Sequence, residues 1–143
     1  MIYLEDFKQE IIELNIYDVK VLQESLGFKL PSHFVEFTKI YGKLSHKKKM
    51  YSVNSYPFSS TVSVLDYIEN LDYFKESVFA ELEKEYVVFM FTYDPNRLIL
   101  MGVNSVNENK IFEYNNVSDI APILICHSYV ELFQSHFVRS EVI

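Results

Sequence analysis

Four histidines, one cysteine and twenty acidic residues are the groups here that could do chemistry, and their spacing limits what that chemistry is. His33, His46, His127 and His136 show neither the i, i+4 pairing of a helical zinc site nor a cysteine at metal-ligand spacing, so no metal is expected. Cys126 stands beside His127, the residue types of a nucleophile and its base. Adjacent residues on an extended segment point apart, however, so the expectation is a small buried thiol next to a surface imidazole. Gly27, Gly42 and Gly102 are too far apart to build a phosphate-binding loop. No two carboxylates are spaced as a local acid and base pair, so neither a catalytic residue nor a cofactor is expected.

The carboxylates are nevertheless unevenly distributed. Between Leu65 and Glu85, Asp66, Glu69, Asp72, Glu76, Glu81, Glu83 and Glu85 stand against Lys75 and Lys84, so five of the chain's seven net negative charges fall in about twenty residues. Such a face is either simply solvated or a docking surface for a basic partner. Asp66, Glu69, Asp72 and Glu76 are its candidate contacts. Tyr51, Tyr56 and Tyr73 are candidate aromatic anchors, because tyrosine is enriched where binding energy concentrates. A net charge of −7 argues against nucleic acid, which needs clustered Lys and Arg, and Lys47-Lys48-Lys49 is the only basic run. No apolar run is long enough to span a bilayer. Glu5, Asp6, Glu10 and Glu13 occupy the stretch where a signal peptide would need a basic start and an apolar run, so a cytoplasmic location is expected. The lone cysteine cannot form an internal disulfide.

The elements that position these residues can be read from periodicity. Leu4, Phe7, Ile11, Ile12 and Leu14 predict an amphipathic helix over 4–15. Val19, Leu22 and Leu26 predict a second over about 18–25, with Gly27 ending it. Pro31 suits a helix start, Phe34, Phe37, Ile40 and Tyr41 form its apolar stripe, and Gly42 stops it. Residues 42–49 read as a loop, 50–54 as a strand, and Pro57 relegates the residues after it to an edge or exit. A short strand over 61–64 precedes a largely helical 65–85, with Leu65, Ile68, Leu71 and Phe74 inward. Residues 86–92, 97–103 and 109–115 read as an antiparallel meander in which the uniformly apolar Val87–Phe91 is central and Lys110–Tyr114 lies near an edge. Ile123–Cys126 leads into a final helix, capped by Ser128 and Glu131 and running from Tyr129 to about Val138, with Val130, Phe133 and Phe137 on one face. No repeat or linker interrupts the 143 residues, which reads as one domain over 1–143.

Leu30-Pro31 opening a helix that carries Phe34 and Phe37 and closes at Tyr41-Gly42, a meander, and then Ile125-Cys126-His127-Ser128-Tyr129 leading into Glu131-Leu132-Phe133 resembles the SUKH superfamily across nearly the whole chain. Tyr41-Gly42-Lys43 stands where Asn-Gly-Gly is usual, and Cys126 where alanine is usual. The resemblance implies an α+β fold with a single mostly antiparallel sheet flanked by N-terminal and C-terminal helices, and no catalysis. It further implies a bacterial immunity protein that binds a cognate toxin, of nuclease or deaminase class, and covers its active site. Pro31, Phe37 and Ser128 would then be fold residues. The expected partner is a basic protein toxin, with neither nucleic acid nor membrane, and the chain itself a monomer or weak homodimer. The competing expectation is a regulatory or scaffold module with no toxin.

Overall fold

A computed structural model describes residues 7–46, 51–53, 56–76, 82 and 85–139, those at 51–53, 56, 57, 138 and 139 by backbone alone. It is a mixed α+β fold built on an open antiparallel sheet. The elements in chain order are β1 (Phe7–Glu10), α1 (Ile16–Leu26), α2 (Ser32–Tyr41), β2 (Lys43–His46), β3 (Tyr51–Val53), β4 (Tyr56–Thr61), α3 (Val64–Glu69) and α4 (Leu71–Glu76). There follow β5 (Tyr86–Thr92), β6 (Arg97–Gly102), β7 (Ile111–Asn115), β8 (Ile123–Cys126), α5 (Tyr129–Glu131) and β9 (Phe137–Arg139). The strands run β1-β2-β4-β5-β6-β7-β8 across the sheet, and β3 hangs from β4 and pairs with β9.

The first two helices are defined by their ends. Asn15 caps α1 by accepting the Tyr17 N–H at 2.7 Å, and Gly27 closes it in the left-handed region at φ 83°. In α2 the proline is the N-cap rather than the first helical residue, and Gly42 ends the helix with its N–H donating to the Thr38 carbonyl. Phe34 and Phe37 are fully buried on the sheet, but Ile40 faces solvent. Phe37 sits edge-on to Phe89 of β5 at 5.0 Å and to Tyr129 of α5 at 5.1 Å, and is stacked parallel to Phe133 at 5.9 Å. One side chain therefore joins the second helix, the middle strand and the C-terminal segment, with edge-to-face geometry that adds to the area buried.

The meander forms as expected, with β5 in the middle of the path and Val87–Met90 buried. An irregularity between Val88 and Met90 leaves Phe89 without a β6 partner in the ladder. Strand β7 lies one from the edge, yet Ile111–Tyr114 are all buried, because Arg97 on β6 forms an ion pair with Glu113 and so lets a carboxylate go inside.

Elsewhere the expected elements are replaced. Residues 4–6 lie outside the described residues, and Phe7–Glu10, expected as helix, is strand β1, paired with β2 from Phe7↔His46 to Glu10↔Lys43. Ile11, expected inward, is exposed. A short amphipathic stretch nucleates a helix poorly, and the ladder offered by β2 outweighs it. Lys43–His46 is accordingly strand, not loop; Lys47, Lys48 and Lys49 lie outside the described residues. Pro57 does not put β4 at an edge: it lies in the part of β4 that faces the short β3, while Ser60 pairs with both β2 and β5. The strand expected over 61–64 ends at Thr61, because Ser63 caps α3. The last helix is shorter than expected. After α5 the chain widens into a π-helical turn over Leu132–His136 and then becomes β9, which needs an extended chain to meet β3.

Candidate functional site

The acidic segment consists of two short helices that meet at a corner. Ser63 and Asp66 form a capping box: Ser63 Oγ accepts the Asp66 N–H at 3.1 Å, and Asp66 Oδ2 accepts the Ser63 N–H at 2.8 Å. The other oxygen, Oδ1, accepts a hydrogen bond from the Lys43 ammonium at 3.1 Å. Asp66 is thus committed to the helix start and to β2, and is only partly exposed. Asn70 then ends α3, donating both its backbone N–H and its side-chain amide to the Asp66 carbonyl at 3.0 Å.

This corner sets which residues face out. The capping box fixes the phase of α3 so that Val64 and Tyr67 are buried, whereas Leu65 and Ile68, expected inward, are partly exposed. Tyr67 stacks on Phe74 of α4 at 3.9 Å between ring centres, and Tyr73 stands edge-on to Phe74 at 5.2 Å with about half its surface open. Glu69, Asp72 and Glu76 are all exposed. Three of the expected contact residues, Glu69, Asp72 and Tyr73, therefore line one shallow depression, and the fourth, Glu76, is exposed at the end of α4. Tyr51 and Tyr56 belong to β3 and β4 by backbone, and their side chains lie outside the described residues, as do Glu81, Glu83 and Lys84.

Two depressions flank this surface. A cleft of about 360 Å³ is lined by Lys43, Asp66, Asn70, Tyr73, Phe74 and Phe91. A second, of about 190 Å³, lies between α1 and the α3–α4 corner and is lined by Tyr17, Asp18, Val21, Leu22, Ser25, Ile68 and Leu71. Lys75 Nζ bridges the two sides by donating to the Ser25 carbonyl at 3.1 Å. Tyr17 and Val21, exposed apolar residues one turn apart on α1, are contributors that the acidic pattern alone did not mark. Their i, i+4 spacing was the available signal.

Outside this corner, Cys126 and Tyr129 are structurally engaged. The Cys126 thiol is buried and donates to the Ser128 carbonyl at 3.4 Å, and burial pushes its pKa to about 11, which disfavours the nucleophilic thiolate. His127 is exposed, and its backbone N–H donates to Glu131 Oε2 at 3.1 Å. Tyr129 donates to Glu36 Oε2 at 2.9 Å, tying α5 to α2. Among the described residues no cluster of three or more His, Cys, Asp or Glu is placed to hold a metal ion. Among the same residues no helix is long and apolar enough to cross a membrane. No protein-family model matches the chain, and no curated protein sequence matches it.

Proposed function

We propose that this chain is a SUKH-like immunity protein that binds a basic protein toxin, of nuclease or deaminase class, through the α3–α4 corner and blocks its active site. The observation that carries the reading is that Glu69 and Asp72 share a shallow depression with the half-exposed Tyr73, with Glu76 exposed on the same helix and an apolar groove alongside. Carboxylates at a rim raise the rate of encounter with a basic surface, while an aromatic ring and an adjacent groove supply the contact that holds it. The resemblance of the Leu30–Gly42 and Ile125–Phe133 motifs to the superfamily supports the same role, as does the chain's net charge of −7. On this reading the protein acts by occlusion and has no reaction of its own.

The test begins with capture of the partner on tagged full-length protein from its own host, identified by mass spectrometry. A secreted or contact-delivered protein with a basic C-terminal domain is expected; recovery only of housekeeping proteins favours a regulatory module instead. With the partner in hand, the triple variant Glu69→Lys, Asp72→Lys, Glu76→Lys should weaken binding by about 100-fold, mostly through slower association at low salt. Unchanged affinity would remove this surface from the interface. Asp66 is left out of that variant, because Asp66→Asn disturbs the capping box and lowers stability without addressing the partner.

A further inference from the structure

The two ends of the seven-strand path differ in chemistry. At one edge β1 presents Lys8, Gln9 and Glu10 to solvent, with both signs of charge, which is how natural proteins discourage a second chain from pairing there. At the other edge β8 is Ile123-Leu124-Ile125-Cys126, and among the described residues only β7 pairs with it. Ile123 and Leu124 point to opposite faces of the sheet, as neighbours on a strand must, yet both are about half exposed, and Ile120 just before them is fully exposed. Among the described residues this edge is apolar on both faces and lacks the charges that guard β1; its shortness and the irregularity that leaves Ile125 without a β7 partner limit pairing there without abolishing it.

Charge says what can occupy it. Between Tyr114 and Val130 the only charged residue is Asp119, and its carboxylate is turned into the preceding bend, where Oδ2 accepts the Asn115 N–H at 2.9 Å. A basic partner would find no free carboxylate on this strand to meet it. Two copies of a chain carrying −7 each would repel over most of their surfaces but not along this segment. A two-fold axis also sets an antiparallel strand against its own sequence, so in a strand this short any charge would lie close to its symmetry mate. A neutral apolar strand is what such a pairing requires.

We infer that β8 is a self-association edge, on which a second copy of this chain docks with β8 antiparallel to β8, joining the two sheets into one. This surface is separate from the acidic corner, and the inference stands whether or not the toxin reading does. The contact is small, a four-residue strand and its flank, so the dimer is a weak, concentration-dependent one.

Sedimentation equilibrium of the full chain over a concentration series, with hydrogen exchange on the same samples, tests it. Reversible dimerisation is expected, and the double variant Ile123→Lys, Leu124→Lys should raise the dissociation constant by at least roughly tenfold, since the lysines place like charges across the axis. In the wild-type protein, β8 amides should exchange more slowly as concentration rises while β1 amides stay constant. A monomer at every concentration, a dimer that the lysines leave equally tight, or concentration-dependent protection at β1 instead of β8 would overturn the inference. Should the lysine variant fail to fold, the wild-type exchange pattern decides alone.

Discussion

The backbone N–H of Val88, in the middle strand, donates to the phenol oxygen of Tyr67 in α3 at 2.6 Å, and both groups are buried. The bond falls beside the irregularity in β5, where the ladder to β6 slips, so the helix supplies an acceptor at a broken point of the sheet. Tyr67→Phe keeps the ring stacked on Phe74 but leaves that N–H without its acceptor. It should cost about 1–3 kcal/mol, the penalty for an unsatisfied buried donor, read as a lower urea midpoint with an unchanged slope.

Gly42 and Gly27 both end helices at positive φ, but their surroundings differ. A Cβ on Gly42 would lie 1.9 Å from the Glu10 carbonyl oxygen of β1, while one on Gly27 would meet nothing within 4 Å. Gly27→Ala should therefore cost only the left-handed penalty, about 1–2 kcal/mol. Gly42→Ala must also push β1 off β2, and should cost at least about 2 kcal/mol more, or prevent folding. Thermal midpoints of the two variants, side by side, check the order.

Cys126 makes stability fall in alkali. Its pKa is about 11 in the folded protein against an ordinary 9.0, so the native state keeps the proton longer than the unfolded chain does. The contribution is whole below pH 9 and is lost as pH climbs towards 11. Tyr67, raised by burial, and Tyr129, raised by burial and then by its bond to the Glu36 carboxylate, carry the loss further in the same direction. Urea midpoints measured from pH 9 upward should decline, and Cys126→Ala should flatten the first part of that decline. A thiol reagent should label Cys126 slowly in buffer and quickly in urea.

What could be read from the sequence was what local signals carry. Helices α1 and α2 announce their ends through Gly27 and Gly42, and the meander announces itself through Asp94-Pro95-Asn96, Asn104 and the unbroken apolar run of β5. Strands β1, β2 and β9 carry no such signal. Each is only three or four residues long, and each is extended because a remote strand supplies its ladder. In the candidate site, Glu69, Asp72, Tyr73 and Glu76 were legible because they are exposed in the way their types suggest. Asp66 was not, since a carboxylate that caps a helix and one that meets a partner are the same letter until Ser63 and Lys43 are placed beside it. Tyr17 and Val21 went unmarked because the helix that makes a groove of them comes much later in the chain.

The pairing of β3 with β9 has a consequence in time. Val53 meets Phe137, and Tyr51 meets Arg139, across more than half of the polypeptide. During synthesis β3 emerges long before its partner exists, and the loop to be closed is among the longest in the molecule, so this ladder forms late. The meander, made of neighbours, can assemble early; the β3–β9 clasp must wait until Phe137–Arg139 has been made. Protection of the β9 amides, which pair only with β3 among the described residues, should therefore be the last to appear when refolding is followed by pulsed hydrogen exchange.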